Sequence, residues 1–366
     1  MKAHKVPATY YASWKIPGTK HSFYVFYKDK LYSEGQSKSY KDVDKITQEH
    51  SFFMEENFYY LDIENMPGLA YKLQNEIEEF LSNSPYSIKC EDTYAEDSAP
   101  NYPVIEIKDY SKFMYCRERM DSWIIKDSDG NNVTVDAFKN DLGTYLFGKV
   151  GKIIEENYFA NELEPKWNVI KSEIEIQRNS GDDFALVHQD DLLEFFIVQY
   201  LRLEGVIEEY IKPTLGIFRD VFSSMGYEDS ELDKMKNEGL LAPESYFYGA
   251  LLDAARGDKK RLQKHMDSIK QNYVIDLLKA EEGTSFITST KPCVVMRMEG
   301  TFKAEMIFPV TPQYCIRFIG NKLAGNRSGK FYEITSSDVK VINRKIISES
   351  RNIVMSESKI ISDRIW

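Results

Sequence analysis

The strongest hydrophobic pattern in the chain lies at 190–210, DDLLEFFIVQYLRLEGVIEEY. Leu192, Leu193, Phe195, Phe196, Ile197, Val198, Tyr200, Leu201 and Leu203 cover most of a helix circumference, which predicts a core helix instead of a surface one. Asp190 or Asp191 stands where a carboxylate can cap its first turn. Gln199 and Arg202 interrupt the apolar run three residues apart, on a face shared with Phe195 and Asp191. A guanidinium in such a run keeps its proton and needs a carboxylate, carbonyls or a bound anion beside it. Two readings follow: a structural Arg202 satisfied by Asp191 or a distant loop, or a ligand-facing Arg–Gln pair.

Elsewhere the pattern changes three times. Residues 22–27 and 30–32 flank the charged KDK and predict a hairpin. A polar connection follows at 35–45, and the aromatic 52–61 is expected to pack on that hairpin. Apolar positions 69, 73, 77, 80 and 81 give a helical period over 68–81. The acidic 84–103 reads as a surface loop with room for one edge strand, and 104–107 and 123–125 read as strands. A hairpin is expected over 123–138, turning at Asp129-Gly130 or Asn131-Asn132.

Helical period then dominates at 145–159, 162–177, 218–225, 242–255 and 259–280, with a polar break at 179–183. Period two takes over in 285–289, 293–298, 304–308 and 314–319. A closing helix is predicted over 336–355, started by Ser336-Ser337-Asp338, with Val339, Ile342, Ile346 and Ile353 on one side. The predicted class is α+β: N-terminal strands and hairpins, a helical middle around a buried central helix, then antiparallel strands and a closing helix. The length of 366 residues suits one large domain over 1–366. Its expected sub-lobes are 1–61 plus 284–366, 62–144 and 145–283.

The net charge of −11, from 47 basic and 58 acidic side chains, argues against coating duplex DNA, which requires neutralised phosphates. It leaves room for a small basic cleft. Cys90, Cys116, Cys293 and Cys315 form no CxxC pair and read as free thiols in a reducing compartment. No apolar leader opens the chain and no run nears the roughly 18 apolar residues that span a bilayer, so a soluble cytoplasmic protein without membrane partners is expected.

Phosphate-cradling glycine loops, the GxSxG elbow and HExxH are absent, and His4, His21, His50, His188 and His265 never take metal-ligand spacing. Asp127, Asp129 and Asn131 echo the start of a calcium loop, but Asn132 and Phe138 stand where Gly and Glu are needed, which favours a plain turn. The clusters Glu155-Glu156, Glu162, Glu164, Asp182-Asp183 and Asp190-Asp191 could hold metal ions only by converging, and otherwise serve as solvated faces or caps. His188, just before the core helix, is either a general base or an exposed loop histidine. No motif singles out a cofactor or an oligomeric state.

The opening H-K-V-P-A-T-Y-Y-A-S-W, residues 4–14, resembles the start of a bacterial family, domain of unknown function 4238. His4, Val6, Pro7, Tyr10 and Trp14 fall in register with its His-x-Val-Pro opening, and the hairpin and NFYY (57–60) resemble the elements that follow. Gln199-x-x-Arg202 resembles a Gln-x-x-Arg of the family's buried helix. TSTKP (288–292), FPVTP (308–312) and VIN (341–343) resemble its Thr-Ser-Asp-Asn-Pro, Pro-Leu-Thr-Pro and helix-borne Asn. Thr290 and Lys291 stand in place of the family's Asp and Asn, and 62–145 carries no part of the resemblance.

The resemblance implies a shared fold and no established activity. It also picks out His4, Gln199, Arg202, Asn343 and Ser289, from separate regions, as a set that could meet in a folded site. If they meet, His4 is the acid or base, Arg202 and Asn343 steady a phosphate's charge, and Gln199, Asp191 and Ser289 complete the site. Otherwise they bond loop backbones. The expected function is a toxin- or defence-type effector acting on nucleic acid or nucleotides, by phosphodiester cleavage or recognition; the alternative is a non-enzymatic protein-interaction module with a structural Arg202.

Overall fold

A computed structural model describes residues 2–4, 8–19, 22–27, 44–47, 54–56, 67–92, 102–176, 181–201, 228, 243–300, 302–350, 353–356 and 364. The chain forms two units. One, here the core unit, comprises Lys2–Glu56, Asn157–Val206 and Asp258–Trp366; the other, the inserted unit, comprises Asn57–Glu156 and Ile207–Gly257.

In the core unit the strands are β1 (Lys2–His4), β2 (Ser22–Tyr27), β3 (Asp44–Thr47), β4 (Met54–Glu56), β5 (Tyr273–Ala280), β6 (Thr288–Ser289), β7 (Val294–Glu299), β8 (Phe302–Pro309), β9 (Tyr314–Gly320), β10 (Phe331–Ile334) and β11 (Ile353–Ser356). Its main helices are α1 (Glu164–Glu175), α2 (Gln189–Leu201), α3 (Lys260–Asn272) and α4 (Ser336–Glu349). The main sheet has the order β7-β8-β9-β5-β10, antiparallel except for the parallel β10–β5 pair. A second sheet runs β6-β11-β2-β3, and β1 pairs with β4. The α+β class is as expected, and no helix among the described residues is long and apolar enough to cross a membrane.

Packing explains both what the pattern foretold and what it missed. Helix α2 is the expected core helix, with Leu192, Leu193, Phe195, Phe196, Ile197 and Val198 all buried. Trp167 of α1 stacks on Phe195 at 4.1 Å between ring centroids, and Phe196 meets Phe318 of β9 at 4.2 Å. The expected helix over 259–280 stops instead at Asn272. Its second half is β5, flanked by β9 and β10, with Val274, Ile275, Leu277 and Leu278 buried. A strand covered on both faces loses its alternation, so Tyr273-Val274-Ile275 continued the apolar helical pattern while its β-branched residues favour a strand.

The closing helix ends at Glu349 and the chain resumes as β11, so the expected span to 355 is too long. Its start is a capping box between Thr335 and Asp338, one residue before the predicted cap. Val339, Ile342, Ile346 and Ile347 then bury against Leu278, Val294, Ile307 and Cys315. Strand β2 pairs with β3 and β11; residues 30–32, its expected hairpin partner, lie outside the described residues. The Met54–Glu56 strand pairs with β1, not with that hairpin.

The inserted unit holds an antiparallel sheet in the order Val104–Glu106, Ser87–Glu91, Ile124–Lys126, Asn132–Val133. Ser87–Glu91 is thus an internal strand inside the predicted surface loop, burying Ile88 and Cys90 on alternate positions. Helices Gln74–Asn83, Tyr110–Cys116 and Val135–Lys152 supply Phe80, Phe113 and Phe138 to the unit's core, where Trp123 meets both Phe113 and Phe138 edge-on. The second arm of the expected 123–138 hairpin is only Asn132–Val133, because Thr134 caps the helix that follows. The helical stretches expected at 145–159 and 162–177 are continuous: Val135–Lys152 runs into a π-helical stretch, Ile153–Leu163, and then α1. The predicted helix at 218–225 lies outside the described residues.

Candidate functional site

The family-like motifs converge first on a structural junction. Tyr10 donates to the Pro309 carbonyl at 2.7 Å and bonds the Thr288 hydroxyl at 2.8 Å. Trp14 Nε1 donates to Phe286 O at 3.2 Å, and the Tyr11 hydroxyl reaches Ser289 O at 3.4 Å. Burial pushes the Tyr10 hydroxyl well up, so it stays a neutral donor. Asn343 accepts from Ile287 N at 3.1 Å and donates to Ser285 O at 2.9 Å and Arg364 O at 2.7 Å. Ser289 Oγ closes a local turn, accepting from Lys291 N and donating to Lys291 O.

The described members of the expected site have different partners. Ser289 and Asn343 come to one segment, 285–291, with amide and hydroxyl engaged by backbone. Asp191 lies elsewhere, in an ion network: Lys166 bonds Asp191 at 2.9 Å and Glu194 at 2.8 Å, while Lys259 bonds Glu194 at 2.9 Å and Glu162 at 2.7 Å. Tyr158 adds a hydrogen bond to Glu194 at 2.9 Å. Burial alone would raise the Glu194 carboxyl, but the two lysines more than offset it and hold it below the usual range. His4 is the last residue of β1, opposite Met54, and its side chain lies outside the described residues, as does Arg202. His188 Nδ1 and backbone N–H both meet the Glu173 carboxylate.

Gln199 is fully buried, and among the described residues neither its amide oxygen nor its nitrogen has a hydrogen-bond partner. Leaving both atoms dry costs free energy that an apolar side chain of like size avoids. Gln199→Met is expected to stabilise the protein by about 1–2 kcal/mol, seen as a higher urea midpoint. A lower midpoint would mean that the amide is satisfied in solution.

Acidic clusters elsewhere meet lysines: Asp183 pairs with Lys330 at 2.8 Å and Asp190 with Lys270. Asp127 accepts from the backbone N–H of Asp129 and of Asn131, both at 2.9 Å, and from Asn131 Nδ2 at 3.1 Å, so its carboxylate closes the turn internally. Among the described residues no three metal-ligating side chains cluster.

A concave feature lies in the core unit, at the end of the main sheet where β5 begins and β9 ends. It is a cleft of about 320 Å³, near the lower limit for small-molecule sites. Buried Phe184, Leu186 and Leu192 back it, while Lys270, Arg327, Asn321, Asn326 and Gln189 bring polar groups to it. Arg327 is held by Asp276, a carboxylate with no exposure in the middle of β5. Arg317, the cross-strand partner of Asp276, binds the same carboxylate through Nη2 at 2.6 Å, and Lys330 N donates to it at 2.9 Å. Burial would raise the Asp276 carboxyl, but Arg327 and Arg317 outweigh it and keep it low and ionised.

The loop after β9 makes this possible. Gly325 and Asn326 take left-handed backbone conformations that turn the chain back. Gly329 then passes so close to β5 that a Cβ would lie 2.2 Å from Ile275 O and 2.9 Å from Phe184 O. Sequence reasoning passed over this loop, GNRSGK (325–330), and Asp276. The available signals were a charged residue inside an apolar run and basic residues among turn formers.

An α+β chain with a ligand-sized polar cleft and no clustered metal ligands among its described residues is thus the class that the geometry defines. The family described as "Protein of unknown function (DUF4238)" matches residues 138–360, and the chain belongs to it. Every residue of the cleft falls inside that span, whereas the His4–Trp14 motif precedes it. No curated protein and no solved structure matches the chain.

Proposed function

We propose that this protein is an effector that recognises a nucleotide, or a comparably phosphorylated small molecule, in the core-unit cleft, and acts by binding it. The observation that carries this reading is Arg327, fixed by buried Asp276 on the wall of a cleft that also offers Lys270 and three amide side chains. A phosphate fits the side that carries Arg327 and Lys270, and the amide side chains of Gln189, Asn321 and Asn326 suit the polar edges of a base or sugar. Recognition is favoured over phosphodiester cleavage because Asn343 and Ser289, two of the residues expected to assist cleavage, are engaged by backbone groups. Four cysteines, none of them in a disulfide, support a reducing compartment as its workplace.

Calorimetry with nucleoside mono-, di- and triphosphates tests the reading. At least one nucleotide is expected to bind, and the Lys270→Ala/Asn326→Ala variant to weaken it by tenfold or more. Total RNA and single-stranded DNA are expected to stay intact with Mg²⁺ or EDTA. Absence of nucleotide binding would shift the reading to a protein-interaction module, which the exposed Val169 of α1, Ile176 just after it and the 89 % exposed Val187 favour.

A further inference from the structure

A guanidinium carries two usable pairs of N–H groups: an end pair on Nη1 and Nη2, and a side pair on Nε and Nη2. Arg327 gives its end pair to Asp276, Nη1 to Oδ1 at 2.7 Å and Nη2 to Oδ2 at 2.6 Å. The other Nη1 hydrogen goes to Ser328 O at 2.7 Å. What remains is the side pair, Nε–H and the second hydrogen of Nη2, which has no acceptor among the described residues.

Arg317 is arranged the other way round. Its side pair is taken, with Nε at 3.1 Å and Nη2 at 2.6 Å from Asp276 Oδ2, and its Nη1 lies 3.8 Å from Glu305. Of the two arginines, Arg327 is the one that lines the cleft. Its plane is fixed from two directions: by the buried carboxylate, itself anchored by Lys330 N, and by the Tyr332 ring, whose centroid lies 5.7 Å from the guanidinium carbon. A donor pair held in advance loses little freedom when it binds. Glu305 lies beside Arg317, so of the two guanidinium groups that share Asp276 it is Arg327 that has no second carboxylate among the described residues.

We infer that the unused side pair of Arg327 is an oxyanion receptor, taking two oxygens of a single phosphate or carboxylate group on a ligand seated in the cleft. The inference rests on the ligand-binding reading of the cleft and narrows it to one contact that decides specificity. Asp276 is the positioning residue, since it turns the guanidinium so that the side pair is the one left over.

The test is calorimetry on the full chain with phenyl phosphate, benzoate and phenol, followed by AMP, GMP, CMP and UMP. Phenyl phosphate or benzoate is expected to bind and phenol, which lacks the oxyanion, is not; whichever of the two binds identifies the oxyanion. Arg327→Lys keeps a cation beside Asp276 but has no fork, and it is expected to weaken that binding by tenfold or more. In the wild type, phenylglyoxal is expected to modify Arg327 and the bound oxyanion to block it, a readout that does not depend on the variant folding. Equal affinity in Arg327→Lys, no protection of Arg327, or no binding of either oxyanion would overturn the inference. A nucleotide bound equally well by wild type and Arg327→Lys removes the fork and leaves nucleotide recognition standing. Fork-dependent phenyl phosphate binding with no nucleotide bound does the reverse.

Discussion

Replacing Asp276 with alanine is expected to cost about 3–5 kcal/mol of folding free energy, measured by urea denaturation at neutral pH. The side chain has no exposure and accepts hydrogen bonds from Arg317, from Arg327 and from Lys330 N. Removing it leaves Arg327 without its carboxylate and Arg317 with only Glu305 at 3.8 Å, which is worse than never having buried the pair. The same carboxylate also shapes the acid response. Its pKa is lower folded than unfolded, as is that of Glu194, so the folded state binds fewer protons. The stability these two carboxylates contribute is complete above the unfolded carboxylate range, near pH 4, and is lost as pH falls through their lower folded values. Asp276→Ala is therefore expected to flatten the fall in stability below about pH 4; an acid limb of unchanged steepness would deny Asp276 that role.

Gly329→Ala is the second large effect, expected to destabilise by about 3 kcal/mol or more. The added Cβ would meet backbone oxygens of Ile275 and Phe184, and neither can move aside: Phe184 N is bonded to Gly329 O at 2.9 Å, and Ile275 belongs to the pairing of β5 with β9. Gly325→Ala gives the contrast. Gly325 has φ +68° with nothing within 4 Å of a built Cβ, so only backbone strain opposes the change, about 1 kcal/mol. Urea midpoints of the two variants separate close approach from strain, and equal losses would contradict the packing described here.

How much of this was legible in the sequence depended on whether a residue's neighbours lay within its own element. Helix α2 announced itself because an all-apolar circumference has one solution, a buried helix. The β7-β8-β9 meander was readable because turn residues separate its strands. Strand β5 was not, since α3 passes into it with no turn residue between Asn272 and Tyr273, and its two buried faces hide the period. Strand β10 was missed because its position is set by parallel pairing with β5, a partner more than fifty residues away.

The site followed the same rule. Asn343 and Gln199 stood out as polar residues in apolar helices, yet the first is occupied by the segment 285–287 and the second by nothing among the described residues. Asp276, Arg317 and Arg327 were invisible as a set. They lie on β5, on β9 and in the loop beyond it, and only the register that puts Arg317 opposite Asp276 makes them one cluster.

The most direct test of nucleotide recognition in the core-unit cleft is a crystal structure of the protein soaked with the tightest-binding nucleoside monophosphate. The prediction is a phosphate in the cleft within hydrogen-bond distance of Arg327 Nε and Nη2. Nucleotide density at the Ser289–Asn343 junction, or an empty cleft at saturating nucleotide, would contradict it.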